Sequence, residues 1–183
     1  MQSLLITLHQ RPYVALFLLS FVLICSLNRG WIRTALFLAI GTLVAFLSEF
    51  CSIRWGFPYG MYHYVYENMK GELVLSGVPV WDSISYVFMA YASFEMAASV
   101  GRVLSRPNPS SVLDAPSRSR LRADEGTRRT TRPWLSAVFM TLLDIVTDPL
   151  AVRGDQWFLG KIFYYEHHGI YFGVPFSNFA GWF

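Results

Sequence analysis

Apolar residues run almost unbroken over four stretches, roughly 8–27, 31–53, 78–100 and 134–152. Each is close to the ~20 residues an α-helix needs to cross a hydrocarbon layer about 30 Å thick. Arg11 and Pro12 interrupt the first. The pattern predicts an all-α, polytopic transmembrane helix bundle with about four full spans. An aromatic stretch, Trp55 to Gly77, separates the second and third runs, and another covers 153–183. Proline is favoured in the first turn of a helix, so Pro175 is expected to start a fifth span. The chain stops at Phe183, before that span is complete. The reading is one membrane domain over 1–183, expected to be truncated at its C-terminus.

A weak internal repeat accompanies this order. The second span leads into Trp55, then Tyr62-His63-Tyr64, then Gly77-Val78-Pro79. The fourth leads into Trp157, then Tyr164-Tyr165-Glu166-His167-His168, then Gly173-Val174-Pro175.

Charge sets the orientation. Between Gly101 and Pro133 stand eight arginines (Arg102, Arg106, Arg118, Arg120, Arg122, Arg128, Arg129 and Arg132) against Asp114, Asp124 and Glu125. That local surplus exceeds the +3 of the whole chain, so the rest is net negative. Loops rich in arginine stay cytoplasmic. The segment 102–133 is therefore expected inside, as a disordered loop touching lipid headgroups. The Asn28-Arg29-Gly30 turn falls on the same side, and the N-terminus and both aromatic stretches fall outside. Only 15% of residues are charged and 54% are hydrophobic, where a soluble domain has roughly a quarter charged. No aromatic platform interleaves the arginines, which argues against nucleic acid as a partner.

Five acids fall inside the predicted spans: Glu49, Asp82, Glu95, Asp144 and Asp148. An ionised acid at mid-bilayer costs roughly 2.5–3.5 kcal/mol on insertion scales. Such side chains turn toward the bundle interior. Glu49, Asp82 and Asp148 each lie about four residues from the outer end of a span, hence at a common depth of about 6 Å. Asp144 is one turn deeper on the same side as Asp148. Glu95 is near the opposite end. Asp82 follows a helix start and Asp148 and Glu49 precede helix ends, so the helix dipoles act on them in opposite senses. One acid kept protonated beside one kept ionised makes an acid–base pair.

Aromatic residues crowd the same end: Tyr59, Tyr62, Tyr64, Tyr66, Trp81, Trp157, Tyr164, Tyr165 and Tyr171. An interfacial belt explains many of them. The sharper reading is a pocket whose ring faces stabilise a cation. A buried acid with aromatic walls suits protonation of an alkene to a tertiary carbocation that water captures. His9, His63, His167 and His168 are too few for the histidine clusters of a membrane di-iron site, so no metal is expected. Cys25 and Cys51 lie in apolar runs and read as buried thiols.

Several runs carry a resemblance. They are Trp55-Gly56-Phe57-Pro58-Tyr59-Gly60-Met61-Tyr62-His63-Tyr64, Gly77-Val78-Pro79-Val80, Asp144-Ile145-Val146-Thr147-Asp148-Pro149, Gly169-Ile170-Tyr171-Phe172-Gly173-Val174-Pro175 and Asn178-Phe179-Ala180-Gly181-Trp182. In this order they resemble the membrane-bound carotenoid biosynthesis protein family, which includes carotenoid 1,2-hydratases of the bisanhydrobacterioruberin hydratase type. The resemblance implies addition of water across the terminal isoprenoid double bond of an acyclic carotenoid. It implies no redox cofactor, a substrate held in the bilayer, and other carotenoid enzymes as neighbours.

Residues and resemblance together nominate Asp148 as proton donor. Asp82 or Glu49 would stabilise the cation or orient water, and Asp144 would hold Asp148. Tyr59, Tyr62, Tyr64, Trp81, Trp157, Tyr171 and Asn178 would bind the substrate, with Asn178 placing the water. Two other readings stay open: a non-catalytic carotenoid-binding or assembly subunit, and a small proton-coupled transporter.

Overall fold

The computed structural model describes residues 2–104, 118–154 and 160–183, with 104 and 118–130 described by backbone alone. The helices among these are α1 (Gln2–Gln10), α2 (Pro12–Arg29), α3 (Trp31–Trp55), α4 (Val80–Leu104), α5 (Arg118–Arg153) and α6 (Phe176–Trp182). The chain is not purely helical. Strand β1 (Tyr62–Tyr64) pairs antiparallel with β4 (Phe163–Tyr165), and β2 (Val74–Leu75) with β3 (Val78–Pro79). Strands of two or three residues are too short to leave an alternating pattern in the sequence.

Three helical stretches are long and apolar enough to cross a membrane: Pro12–Arg29, Trp31–Trp55 and Thr131–Arg153. Among the described residues these three correspond to the first, second and fourth of the expected spans. Helix α4 has the length, at 25 residues, but Asp82, Ser83, Ser85, Ser93 and Glu95 dilute its apolar character. The expected fifth span begins as α6, whose seven residues fall short of a crossing. Pro12 moves the start of the first span. It lacks an N–H and disfavours helix at the residue before it, and Arg11 leaves the helical region at φ −122°, ψ 53°.

The basic segment also differs from expectation. Helix α4 runs on to Leu104 and α5 starts at Arg118, so of the loop expected over 102–133 residues 102–104 and 118–133 are helical, while 105–117 lie outside the described residues. Arg, Leu, Ala and Glu between 118 and 125 are helix formers. At 1.5 Å per residue α5 is about 54 Å long, well beyond the thickness of a hydrocarbon core.

Helix α4 is the hub, packing against α5, α3 and α2. Small residues permit this. A Cβ added at Gly41 of α3 would lie 3.1 Å from the Val87 side chain of α4, and Ser93, Ala97 and Ala98 of α4 are buried. In hydrocarbon such residues let backbones approach and gain dispersion contact. Leu16, Leu19, Leu23, Leu36, Leu43 and Val146 stay exposed on α2, α3 and α5, as befits a surface whose solvent is lipid.

Arg11, which interrupts the apolar pattern, is buried. Its Nη2 lies 2.9 Å from Glu72 Oε1, its Nε donates to the same oxygen at 3.0 Å, and its guanidinium sits 4.5 Å from the centroid of Trp81. This pair ties the α1–α2 break to the loop before β2. R11M should lower stability by about 3–5 kcal/mol, because Glu72 is left buried and unpaired. The double variant R11M/E72L should recover most of that loss, as read from thermal unfolding in detergent micelles.

Candidate active site

The pairing of β1 with β4 organises one end of the bundle. Side chains alternate across a strand, and the register sets Tyr62 opposite Tyr165 and Tyr64 opposite Phe163. Tyr62, Tyr64 and Tyr165 are buried, while His63 and Tyr164 between them are exposed. The inward face is a continuous ring cluster: Tyr62 lies edge-on to Tyr64 at 5.3 Å and to Tyr165 at 5.9 Å between centroids.

Beneath this ribbon lies a cavity of about 500 Å³. Its walls come from α2 (Tyr13, Phe17), α4 (Trp81, Asp82, Tyr86, Met89), α5 (Leu143, Thr147, Asp148, Ala151), the strands, and α6 (Asn178, Trp182). Helices α2 and α5 each pack on α4 and barely touch one another. Phe17, on the α2 wall, is 52% exposed, so the cavity reaches the surface of the bundle there.

Of the nominated acids, Asp82 and Asp148 face this cavity. Asp148 Oδ2 accepts from the Tyr165 hydroxyl at 3.1 Å and from the Asn178 amide at 2.9 Å. The same Asn178 nitrogen donates to Asp144 Oδ2 at 2.6 Å. One amide group thus bridges two acids set one helical turn apart. Asp82 Oδ2 accepts from Tyr64 at 2.8 Å, and the hydroxyls of Tyr64 and Tyr62 are 3.3 Å apart. Two acids on different helices each receive a phenol from the third position of one strand of the pair.

Glu49 and Asp144 are fully buried and do not line the cavity. Glu49 stands behind Asp82, where Ser83 donates to its Oε2 at 2.8 Å. The side chain of Ser83 turns toward α3 rather than toward the cavity wall that Asp82 shares. Tyr59, Tyr62, Tyr64, Trp81 and Asn178, nominated for substrate binding, line the cavity. Tyr171 does not. It sits in a tight turn bridged to Val174, and its hydroxyl donates to the carbonyl of Ile145 at 3.3 Å, which takes it to the other flank of α5. Trp157 lies outside the described residues. Glu95 is held by Arg29 at 2.7 Å near the far end of α4, consistent with a structural ion pair.

Sequence reasoning did not single out Tyr86 or Trp182. Their rings stack at 4.5 Å and 11°, and Tyr59 tilts against both. The signal was in the repeat. Asp82 stands three residues after Pro79 and Tyr86 one turn further. Asn178 stands three after Pro175 and Trp182 one turn further. Corresponding positions of the two halves meet across the cavity roof.

The sequence model of the carotenoid biosynthesis protein family matches residues 10–183. No curated protein and no solved structure matches the chain.

The ribbon phenols are strongly perturbed. Burial raises Tyr62, Tyr64 and Tyr165 well above the ordinary phenol range, and the neighbouring carboxylates push the same way. A group that keeps its proton longer in the fold than in the unfolded chain stabilises fully below its unfolded value, here about 10, and loses that contribution as pH rises further. Stability should therefore fall above about pH 10, by about 1.4 kcal/mol per pH unit for each phenol still protonated only in the fold. Unfolding in detergent between pH 8 and 12, with phenolate absorbance followed in parallel, checks this. The Y62F variant should show a shallower decline.

Proposed function

We propose, because the chain belongs to the carotenoid biosynthesis protein family, that it adds water across the terminal isoprenoid double bond of an acyclic carotenoid end. The observation that carries this reading is the placement of Asp148. It is bonded to Tyr165 and Asn178 and faces an apolar, ring-walled cavity that also holds Asp82. The cavity has room for the end of a polyene. The rest of the chain would lie in the gap between α2 and α5 and in lipid.

The roles follow from the bonding. Asp148, held by Tyr165 and Asn178 and open to the cavity, carries the transferable proton. That proton bonds to C2 of the end group as the C1–C2 π pair is used up, and C1 becomes a tertiary cation. The rings of Tyr59, Tyr86, Trp81 and Trp182, which line the cavity, would stabilise it. Water bonds to C1 through a lone pair and gives its extra proton to Asp82. One water is consumed and no electrons are exchanged with another molecule. Asp144 acts through Asn178, and Glu49 through Ser83, as positioning residues. On the sidedness expected from the arginines, the reaction takes place near the non-cytoplasmic face.

A transporter needs polar groups along the whole depth of its path. Here the cavity acids gather at one end, and Glu95 at the other is tied to Arg29, which favours the enzyme.

In a host that accumulates an acyclic carotenoid, the wild-type chain should yield a pigment heavier by one water, detected by chromatography and mass spectrometry. D148N should abolish that product while the protein still accumulates in the membrane. D82N should slow formation by roughly 10²–10⁴-fold, the usual range for a lost general acid or base. Undiminished product from D148N would remove Asp148 from the mechanism.

A further inference from the structure

Hydration of the kind proposed above leaves the site unbalanced. Asp148 has lost a proton to carbon, and Asp82 has gained one from water. The two acids stand on α5 and α4, both lining an apolar cavity. Before a second turnover the proton must go back. The reset needs its own path, and this inference rests on the hydratase reading.

We propose that the tyrosines of the β1–β4 ribbon form a proton-return relay from Asp82 to Asp148. Three of its links are contacts between hydroxyl and carboxyl oxygens in the structure. Tyr64 donates to Asp82 at 2.8 Å, the Tyr64 and Tyr62 hydroxyls are 3.3 Å apart with either able to donate, and Tyr165 donates to Asp148 at 3.1 Å. The remaining gap lies between Tyr62 and Tyr165. These are directly paired across the ribbon, with ring centroids 5.9 Å apart, and both line the cavity. In the proposed relay one water of the kind the reaction consumes bridges the two hydroxyls, since a bridging water serves nearly as well as a direct bond.

The transfer balances at every atom. Protonated Asp82 gives its proton to the oxygen of Tyr64, which passes its own to Tyr62. Tyr62 passes its own to the water, the water to Tyr165, and Tyr165 to Asp148. Each oxygen between the two acids gains one proton and loses one, so no phenolate accumulates. Burial of the phenols, which opposes their ionisation, favours this concerted shift over a stepwise one. Coupled hydroxyls in a low-dielectric site also polarise one another and strengthen the chain.

Tyr62 is the link whose hydroxyl touches neither acid, so Y62F breaks the relay and keeps the ring. Rapid mixing of micellar enzyme with an acyclic carotenoid should give, for the wild type, steady turnover beyond the first product. For Y62F it should give a first-turnover burst of one product per chain, then a steady rate reduced roughly tenfold or more. The solvent deuterium isotope effect on that steady rate should rise relative to the wild type. A steady rate equal to the wild type, or a burst lost in proportion to it, would overturn the relay and leave the hydratase reading standing. Absence of any hydrated product from the wild-type chain would remove both.

Discussion

A carboxylic acid inside a hydrocarbon layer has no water to bond with, so its partners must come from the protein itself. That requirement explains how this bundle is tied together. Glu49 on α3 takes Ser83 from α4, Asp82 on α4 takes Tyr64 from β1, and Asp148 on α5 takes Tyr165 from β4 and Asn178 from α6. Each bond joins elements far apart in sequence. The short helix α6, which has little surface of its own, is anchored through Asn178 to two acids at once. Placement of the acids and closure of the fold are therefore one problem with one solution.

The two halves of that solution are related. Helices α3 and α4 with β1 between them correspond to α5 and α6 with β4 between them. The strands pair with each other, and Tyr86 stacks on Trp182 where the halves meet. The correspondence is broken at the cavity. Asp82 in one half answers to Asn178 in the other. Where the first half presents an acid to the cavity, the second presents an amide, which holds the acids of α5 together. A repeated scaffold thereby yields two carboxylates with unlike surroundings, the arrangement acid–base chemistry needs.

Much of this was legible in the residues. Runs of apolar side chains located α2, α3 and the membrane part of α5 to within a few positions. The spacing of Asp82 and Asp148 from their helix ends placed both near one depth, and the cavity lies there. The sequence could not say which way each side chain turns about its helix. Glu49 shares the depth and Asp144 lies one turn deeper, yet neither lines the cavity, and at about 100° of rotation per residue a small change of position decides which face a side chain takes. Tyr171 was drawn to the site by its neighbours in sequence, yet a turn carries it around α5. Arg11 read as an interruption because a lone arginine in an apolar run has no visible partner. Its partner, Glu72, is 61 positions away.

The gap between α2 and α5 has a consequence for how such a protein meets its ligand. A polyene that entered there from the bilayer would never pass through water. The relevant concentration is then its mole fraction among the lipids, and encounters are governed by diffusion in two dimensions. Enlarging the bilayer at a fixed amount of polyene would dilute it as surely as adding buffer dilutes a soluble substrate, and half-saturation would be expressed per lipid rather than per litre.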